Sequence, residues 1–387
     1  MKKKKLLPTL RNQRVKGLYT RTGMAVGAML ALLLIIGAMT SVNSTYRIYS
    51  ETIQSWTSQI EGPSFLYLFS LENRVFKEAY PENLEPPELS TLSFQLATSL
   101  TPNDPRSLLG HELPGLSTYN GEIIIAGKGT DYANLPVESH APLDVVQKEQ
   151  EAVEGEEKDP PEKDKQQGPS TNGKNIVYIY HSHNRESFLP HLPEGTDSVF
   201  HSEVNITKVG DRLGESLEAN GIGAMVDHTD ITGSLSGKGM EYYESYDAAR
   251  PVVKEAMAEN ESLTYFFDLH RDALKRKDTT TEINGKDYAR IMFVIGAEHP
   301  DYEKNLQLAT DLHKKIEEKY PGISRGVIKK EGSGVDGKYN QDLSQKAILI
   351  EFGGVENKLE ELYRTADIVA EVFSDYYWED TEKVSAE

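Results

Sequence analysis

The sequence predicts an α/β protein with a mostly parallel sheet carrying helices on both faces, preceded by a transmembrane helix and a helical extracytoplasmic region. Three observations carry that expectation. Short apolar runs alternate with amphipathic stretches through the second half of the chain, an uncharged stretch near the start is long enough to span a bilayer, and a charged, Pro- and Gly-containing segment lies between the two parts. The chain has 387 residues, 38% of them hydrophobic, which is enough for at least one sizeable core.

Residues 1–22 read as a basic cytoplasmic tail holding Lys2, Lys3, Lys4, Lys5, Arg11, Arg14, Lys16 and Arg21, and no acid precedes Glu51. The whole chain carries -19, so with +8 in this tail the rest carries -27, which argues against a nucleic-acid partner because phosphates need a basic face. Residues 23–42, "GMAVGAMLALLLIIGAMTSV", carry no charge. About 20 apolar residues cover the roughly 30 Å hydrocarbon core of a bilayer. The basic flank stays in the cytoplasm and the remainder is exported, so the segment reads as a single-pass anchor. A cleaved signal peptide is the rival; the long basic lead and the absence of a clear small-x-small cleavage site favour retention. The chain has no cysteine, so the exported part is without disulfides and relies on burial, with a bound metal as the available supplement.

Residues 46–140 carry helical signals. Leu66, Leu68, Phe69, Leu71 and Val75 fall near helical spacing, and "PELSTLSFQLATSL" repeats the pattern. With no catalytic constellation here and His111 read as an ordinary residue, the region is expected to be a spacer or a partner-binding module. Residues 145–174 are charged and almost free of large apolar side chains, so they are expected to form a flexible linker.

Residues 175–378 are expected to form the catalytic domain. Apolar runs at 175–180, 221–227, 264–269, 289–296, 326–330 and 346–352 suit buried strands. Amphipathic stretches at 203–220, 242–260, 302–320 and 359–377 suit the intervening helices. In open sheets of this kind ligands bind beyond the carboxyl ends of strands. Three of those ends carry ionisable groups: His181, His183, Arg185 and Glu186 after the first run, Asp268, His270 and Asp272 at the third, and Glu351 in the last.

The bland reading of "IYHSHNRESF" (179–188) is a polar loop capping a strand; the other is half of a metal site. A hydrolytic zinc ion commonly takes two histidines and one carboxylate and leaves a position for water, while a separate carboxylate receives the water's proton. His183, Glu186 and His270 supply such a trio, with Glu351 as the base. The His-x-x-Glu spacing brings two side chains to one side of a turn, whereas His270 and Glu351 must arrive through folding.

"VYIYHSHNRESFLP", "FFDLHRD", "GKYNQDLSQKAILIEFGGVEN" and "TPNDPRSLLGHELPG" closely resemble the stage II sporulation protein P family of endospore-forming bacteria, over nearly the whole exported part and the anchor. The resemblance implies a catalytic domain similar to zinc-dependent N-acetylmuramoyl-L-alanine amidases, with His183, His270 and Glu351 at the matching strand ends and Asn357 as counterpart of the amidase Asn. Those amidases place their carboxylate ligand on a following helix, so Glu203 stands as a rival to Glu186 for the third position. The resemblance further implies a membrane-anchored peptidoglycan hydrolase, cleaving stem peptides from muramic acid and also peptide cross-links, in the mother-cell engulfing membrane. The partners it implies are the stage II lytic transglycosylase, protein D, and a small multi-pass stage II membrane protein.

Other polar residues have two readings each. Arg185 either holds a substrate carboxylate or pairs with Glu194. Asp268 or Asp272 either receives a ring N–H of His270 or is a solvated loop acid. His181 either orients the metal shell, ligates, or points away. His191, His201, His228, His299 and His313 are expected to do no chemistry. The charge run at 275–280 either meets wall anions or is solvated. Two rival functions also stand: a zinc carboxypeptidase trimming stem peptides, for which no arginine-rich pocket is evident, and a non-enzymatic scaffold bridging membrane and wall.

Overall fold

A computed structural model describes residues 67, 121–136, 141–153, 169–332 and 335–386. The chain divides into two units, Met1–Ser99 and Leu100–Glu387, and all described residues except Tyr67 belong to the second. The expected anchor at 23–42 and most of the 46–140 region lie outside the described residues. Among the described residues no helix is long and apolar enough to cross a membrane.

Seven strands form one sheet: β1 (Gly121–Ala126), β2 (Asn175–Tyr180), β3 (Gly223–Val226), β4 (Tyr265–Asp272), β7 (Ile291–Gly296), β8 (Ser324–Lys330) and β9 (Ala347–Gly354), in the order β1-β8-β7-β9-β4-β2-β3. Strands β3, β2, β4 and β9 run parallel, as do β7 and β8. The β7–β9 and β1–β8 pairs are antiparallel. The sheet is thus mixed and mostly parallel, and each apolar run read from the sequence falls on one of its strands. The remaining two strands, β5 (Thr280–Ile283) and β6 (Lys286–Ala289), form a separate hairpin. Its turn is Asn284-Gly285, with φ of 53° and 77°, the pair that a two-residue hairpin turn requires.

Alternation along each strand sorts the core onto two faces. Val177 and Ile179, Phe267 and Leu269, and Ile350 and Phe352 point to one side, where Leu213 and Leu217 of α1 (Thr207–Ala219), Leu312 of α4 (Tyr302–Lys319) and Phe373 of α5 (Leu359–Ala386) pack on them. Tyr178, Tyr180 and Phe266 point to the other, against Val253 and Ala256 of α3 (Ser245–Glu259). A shorter helix, α2 (Ile231–Lys238), joins that side through Ile231 and Leu235, which cluster with Phe200 and Tyr242. Helices therefore cover both faces, as the sequence predicts.

Two segments differ from their expected place. Residues 121–126, read as part of the region ahead of the linker, form the edge strand β1, pairing with β8 from Gly121↔Lys330 to Ala126↔Gly326. Residues 141–153, read as mostly linker, pack on the domain: Gln150 Nε2 donates to the carbonyls of Ser198 and Phe200 at 2.8 and 2.7 Å, and Val153 N donates to His191 O at 2.8 Å. Residues 154–168 lie outside the described residues.

Candidate metal centre

The same alternation decides which polar side chains meet. On β4, Asp268 and His270 share the α3 side with Phe266, and on β9 Glu351 shares it with Leu349. His270 and Glu351 are register partners on adjacent parallel strands, about 4.8 Å apart in the backbone. His181 continues the parity of Ile179 and turns toward α1. A Cβ added at Gly210 of that helix would come within 2.4 Å of His181 Nε2, and His181 Nδ1 lies 3.3 Å from Asp227 O. Burial lowers His181 to about 4, and its turn toward α1, not its charge, keeps it out of the cluster.

Beyond β2 the chain reverses. Glu186 N donates to His183 O at 3.2 Å, closing a turn that carries both side chains to one side. The loop is pinned by Ser187 N to Val199 O at 3.0 Å, His201 N to Arg185 O at 2.8 Å and Ile206 N to Glu186 O at 2.8 Å. His183, Glu186 and His270, all buried, thereby converge, with one ligand atom from each lying within 4.8 Å of the others. His183 Nδ1 is 3.6 Å from Glu186 Oε1, and His270 Nδ1 is 3.7 Å from Glu186 Oε2. Bonds of 2.0–2.1 Å to a tetrahedral zinc would set ligand atoms about 3.4 Å apart, so the donor types suit that ion and the two His–Glu separations, each to its own carboxylate oxygen, come near that spacing.

The neighbours hold the trio in place. His270 Nε2 lies 3.1 Å from Asp268 Oδ1, and Asp268 accepts from Ser182 N and Ser182 Oγ at 2.9 and 2.7 Å. The contact is an ion-pair distance without hydrogen-bond geometry, and it sets a carboxylate beside the nitrogen through which a metal-binding imidazole is commonly braced. Burial alone would lower His270, but Asp268, Glu186 and Glu351 outweigh it and raise the imidazole to about 9. Glu186 Oε2 accepts from Arg271 N at 2.7 Å. Burial opposes its ionisation, yet the facing His183 together with the charges of His270 and Arg271 brings the carboxyl down to about 2. Glu351 differs: burial and the charge of Asp272 push it up to about 8 despite His270, and its Oε2 is buried without a hydrogen-bond partner.

An aromatic wall closes the α3 side, and the sequence reading did not find it. The His183 ring stacks on Tyr242 with centroids 4.4 Å apart, and Tyr246 lies 5.1 Å from His183 and 5.8 Å from His270. The Tyr242 hydroxyl is buried and unpartnered, and burial holds the phenol far above its ordinary pKa. The cue was the tyrosine cluster in "EYYESYDAAR", which spans the 3-10 turn Tyr242–Glu244 and the start of α3.

Other expectations resolve by position. Glu203 is exposed and outside the cluster, because α1 begins only at Thr207 and the amides of Glu203 and Val204 are taken by His201 Nδ1 at 3.0 and 2.9 Å. Arg185 pairs with Asp230 at 2.7 Å and Glu149 at 3.2 Å, not with Glu194. Asp272 does not face His270; it takes Arg325 Nη1 at 2.6 Å, both side chains buried. Asn357 accepts from Gly354 N at 2.8 Å and donates to Thr280 Oγ1 and Glu361 at 2.8 Å each, tying the turn after β9 to the hairpin. His191 and His313 are held at Val153 O and Ser324 Oγ, and the exposed His228 meets Asp211. In the 275–280 run, Arg276 is engaged by Asp287 and Glu361 at 2.7 Å each.

Two histidines and a glutamate gathered at the carboxyl ends of parallel strands, with a further glutamate one strand away, define an α/β protein with a candidate hydrolytic metal centre. Comparison with known proteins takes this to a family. The chain belongs to the stage II sporulation protein P (SpoIIP) family, whose model matches residues 103–374. Stage II sporulation protein P of Bacillus subtilis (strain 168) is 45% identical over 372 residues, covering 93% of this chain and 91% of that protein. Among solved structures, the N-acetylmuramoyl-L-alanine amidase AmiC2 of Nostoc punctiforme is 17% identical at a TM-score of 0.32, over 52% of this chain and 97% of its own. The CwlD amidase from Clostridioides difficile, solved in complex with the GerS lipoprotein, is 12% identical at a TM-score of 0.33, over 54% of this chain and 100% of its own.

Proposed function

We propose that this chain is a membrane-anchored, zinc-dependent peptidoglycan hydrolase of sporulation, an N-acetylmuramoyl-L-alanine amidase that also cleaves peptide cross-links in septal wall during engulfment. The observation that supports this most is the convergence of His183, Glu186 and His270 with Glu351 as their register neighbour. Bound among the three ligands, a zinc ion would polarise an amide carbonyl and acidify a water. Glu351 receives the proton of the attacking water and returns it to the leaving nitrogen; its raised pKa suits a group that must both take and give a proton near neutrality. Asp268 lies 3.1 Å from His270 Nε2 and the Arg271 amide donates to Glu186, so both ligands have a polar partner close at hand. Both proposed reactions break amides, so one site serves both.

The basic tail and residues 23–42 would keep the protein in the mother-cell engulfing membrane, and the charged segment would give the domain reach toward wall strands. The lytic transglycosylase protein D and the small multi-pass stage II membrane protein are the proposed partners. The test is mass spectrometry of what residues 48–387 release from purified peptidoglycan. Free stem peptides beginning with L-alanine are expected, along with uncrosslinked stems still on glycan. Release of terminal residues alone would indicate a carboxypeptidase, and silence even with the transglycosylase present would indicate a scaffold.

A further inference from the structure

We propose that Tyr242 is a catalytic residue whose hydroxyl donates a hydrogen bond to the oxygen of the scissile amide carbonyl as negative charge builds on it. This rests on the reading of the site as an amide hydrolase and adds to it the group that steadies the developing oxyanion.

The side chain is fully inside the protein, 2% exposed, yet its hydroxyl has no hydrogen-bond partner. A buried donor left unpaired destabilises a fold, so one that persists beside a candidate active site calls for a role. Its ring is fixed from two sides, stacked on His183 at 4.4 Å and met edge-on by Phe200 at 5.7 Å. His183 in turn meets the His270 ring at 4.9 Å, so the stacked phenol lies against the ligand cluster.

Most other neutral donors nearby are already engaged, while Arg271 Nε, like the Tyr242 hydroxyl, is buried without a partner. Ser182 Oγ is spent on Asp268 at 2.7 Å and Asn184 Nδ2 on Asp230 at 2.8 Å. Asn357 is tied into the β9 turn. Arg271 places its Nη atoms on the carbonyls of Asp272 and Val199 at 3.3 and 3.1 Å. Tyr242 is the phenol stacked against a ligand ring with its donor uncommitted.

In the step itself, the water oxygen bonds to the carbonyl carbon and its proton goes to Glu351, while the carbonyl π electrons move onto oxygen and are met by the Tyr242 O–H. When the C–N bond breaks, those electrons re-form the carbonyl, and Glu351 returns the proton to the departing nitrogen. The products are a carboxylic acid and an amine, and the tyrosine proton never leaves.

The experiment compares the full chain with its Tyr242→Phe variant, which keeps the ring. For cleavage of muramoyl–alanine amides, kcat is expected to fall about 10²- to 10³-fold, with KM within about threefold. Zinc affinity is expected to be unchanged and the melting temperature equal or higher, because the lost hydroxyl had no partner. Affinity for a phosphinate analogue of the amide, which mimics the tetrahedral species, should drop by a factor similar to the loss in kcat. Unchanged kcat and analogue binding would overturn the proposal, and so would a lowered melting temperature with loss of zinc, since the hydroxyl would then be structural. If the unmodified chain cleaves no amide at all, the amidase reading itself fails, and Tyr242's role falls with it.

Discussion

At His270, complete burial and three carboxylates pull in opposite directions, and the carboxylates prevail, raising the imidazole to about 9. A zinc ion needs the neutral ring, so below that pH its binding must displace a proton. Apparent zinc affinity of the metal-free protein should therefore climb by about tenfold per pH unit from pH 7 toward 9 and level off above, as calorimetry in buffers of different ionisation enthalpy would reveal. His183→Ala and His270→Ala should each lose zinc and activity. Glu351→Ala should keep zinc and lose roughly 10²- to 10⁴-fold in rate, read by metal content beside wall digestion; activity retained in either histidine variant would count against the assignment. His183, Glu186, His270 and Glu351 were legible in the sequence because polar groups at strand ends are conspicuous after apolar runs. Tyr242 was not, since an aromatic residue at the start of an amphipathic helix looks like any core anchor. Nor was the fate of Asp272, because the β4–β9 register shifts between His270 and Asp272 and turns the latter toward Arg325.

The elements were legible where the local pattern settles them. The six central runs fall on strands and the four amphipathic stretches on helices, because burial on both faces leaves little choice of residue. β1 was missed although "GEIIIA" is apolar, since its partner β8 lies some 200 residues away and no local signal announces that pairing. The antiparallel insertion of β7 beside β9 is likewise a matter of long-range pairing. Close contacts between elements give two tests. Gly210→Ala would drive a methyl into His181, which is wedged between β2 and α1, and should cost about 1–3 kcal/mol in denaturant unfolding while zinc binding survives. Arg325→Met would leave Asp272 a buried, unpaired charge and should cost about 3–5 kcal/mol by the same measurement.

Across the whole molecule the charge is polarised, with a basic start, an uncharged stretch and an acidic remainder. That order suits a hydrolase held at the outer face of a membrane. Removing residues 1–43 should shift the protein from the membrane fraction to the soluble fraction without changing its specific activity on purified wall, checked by fractionation and dye release. The central claim is that the His183, Glu186 and His270 site works through a metal. Its most direct test is to follow release of L-alanine-ended stem peptides from peptidoglycan by one preparation before chelation, after chelation, and after zinc is returned. Release that stops with chelation and recovers at one zinc per chain is the expected result; release that continues at full rate in metal-free protein would contradict it.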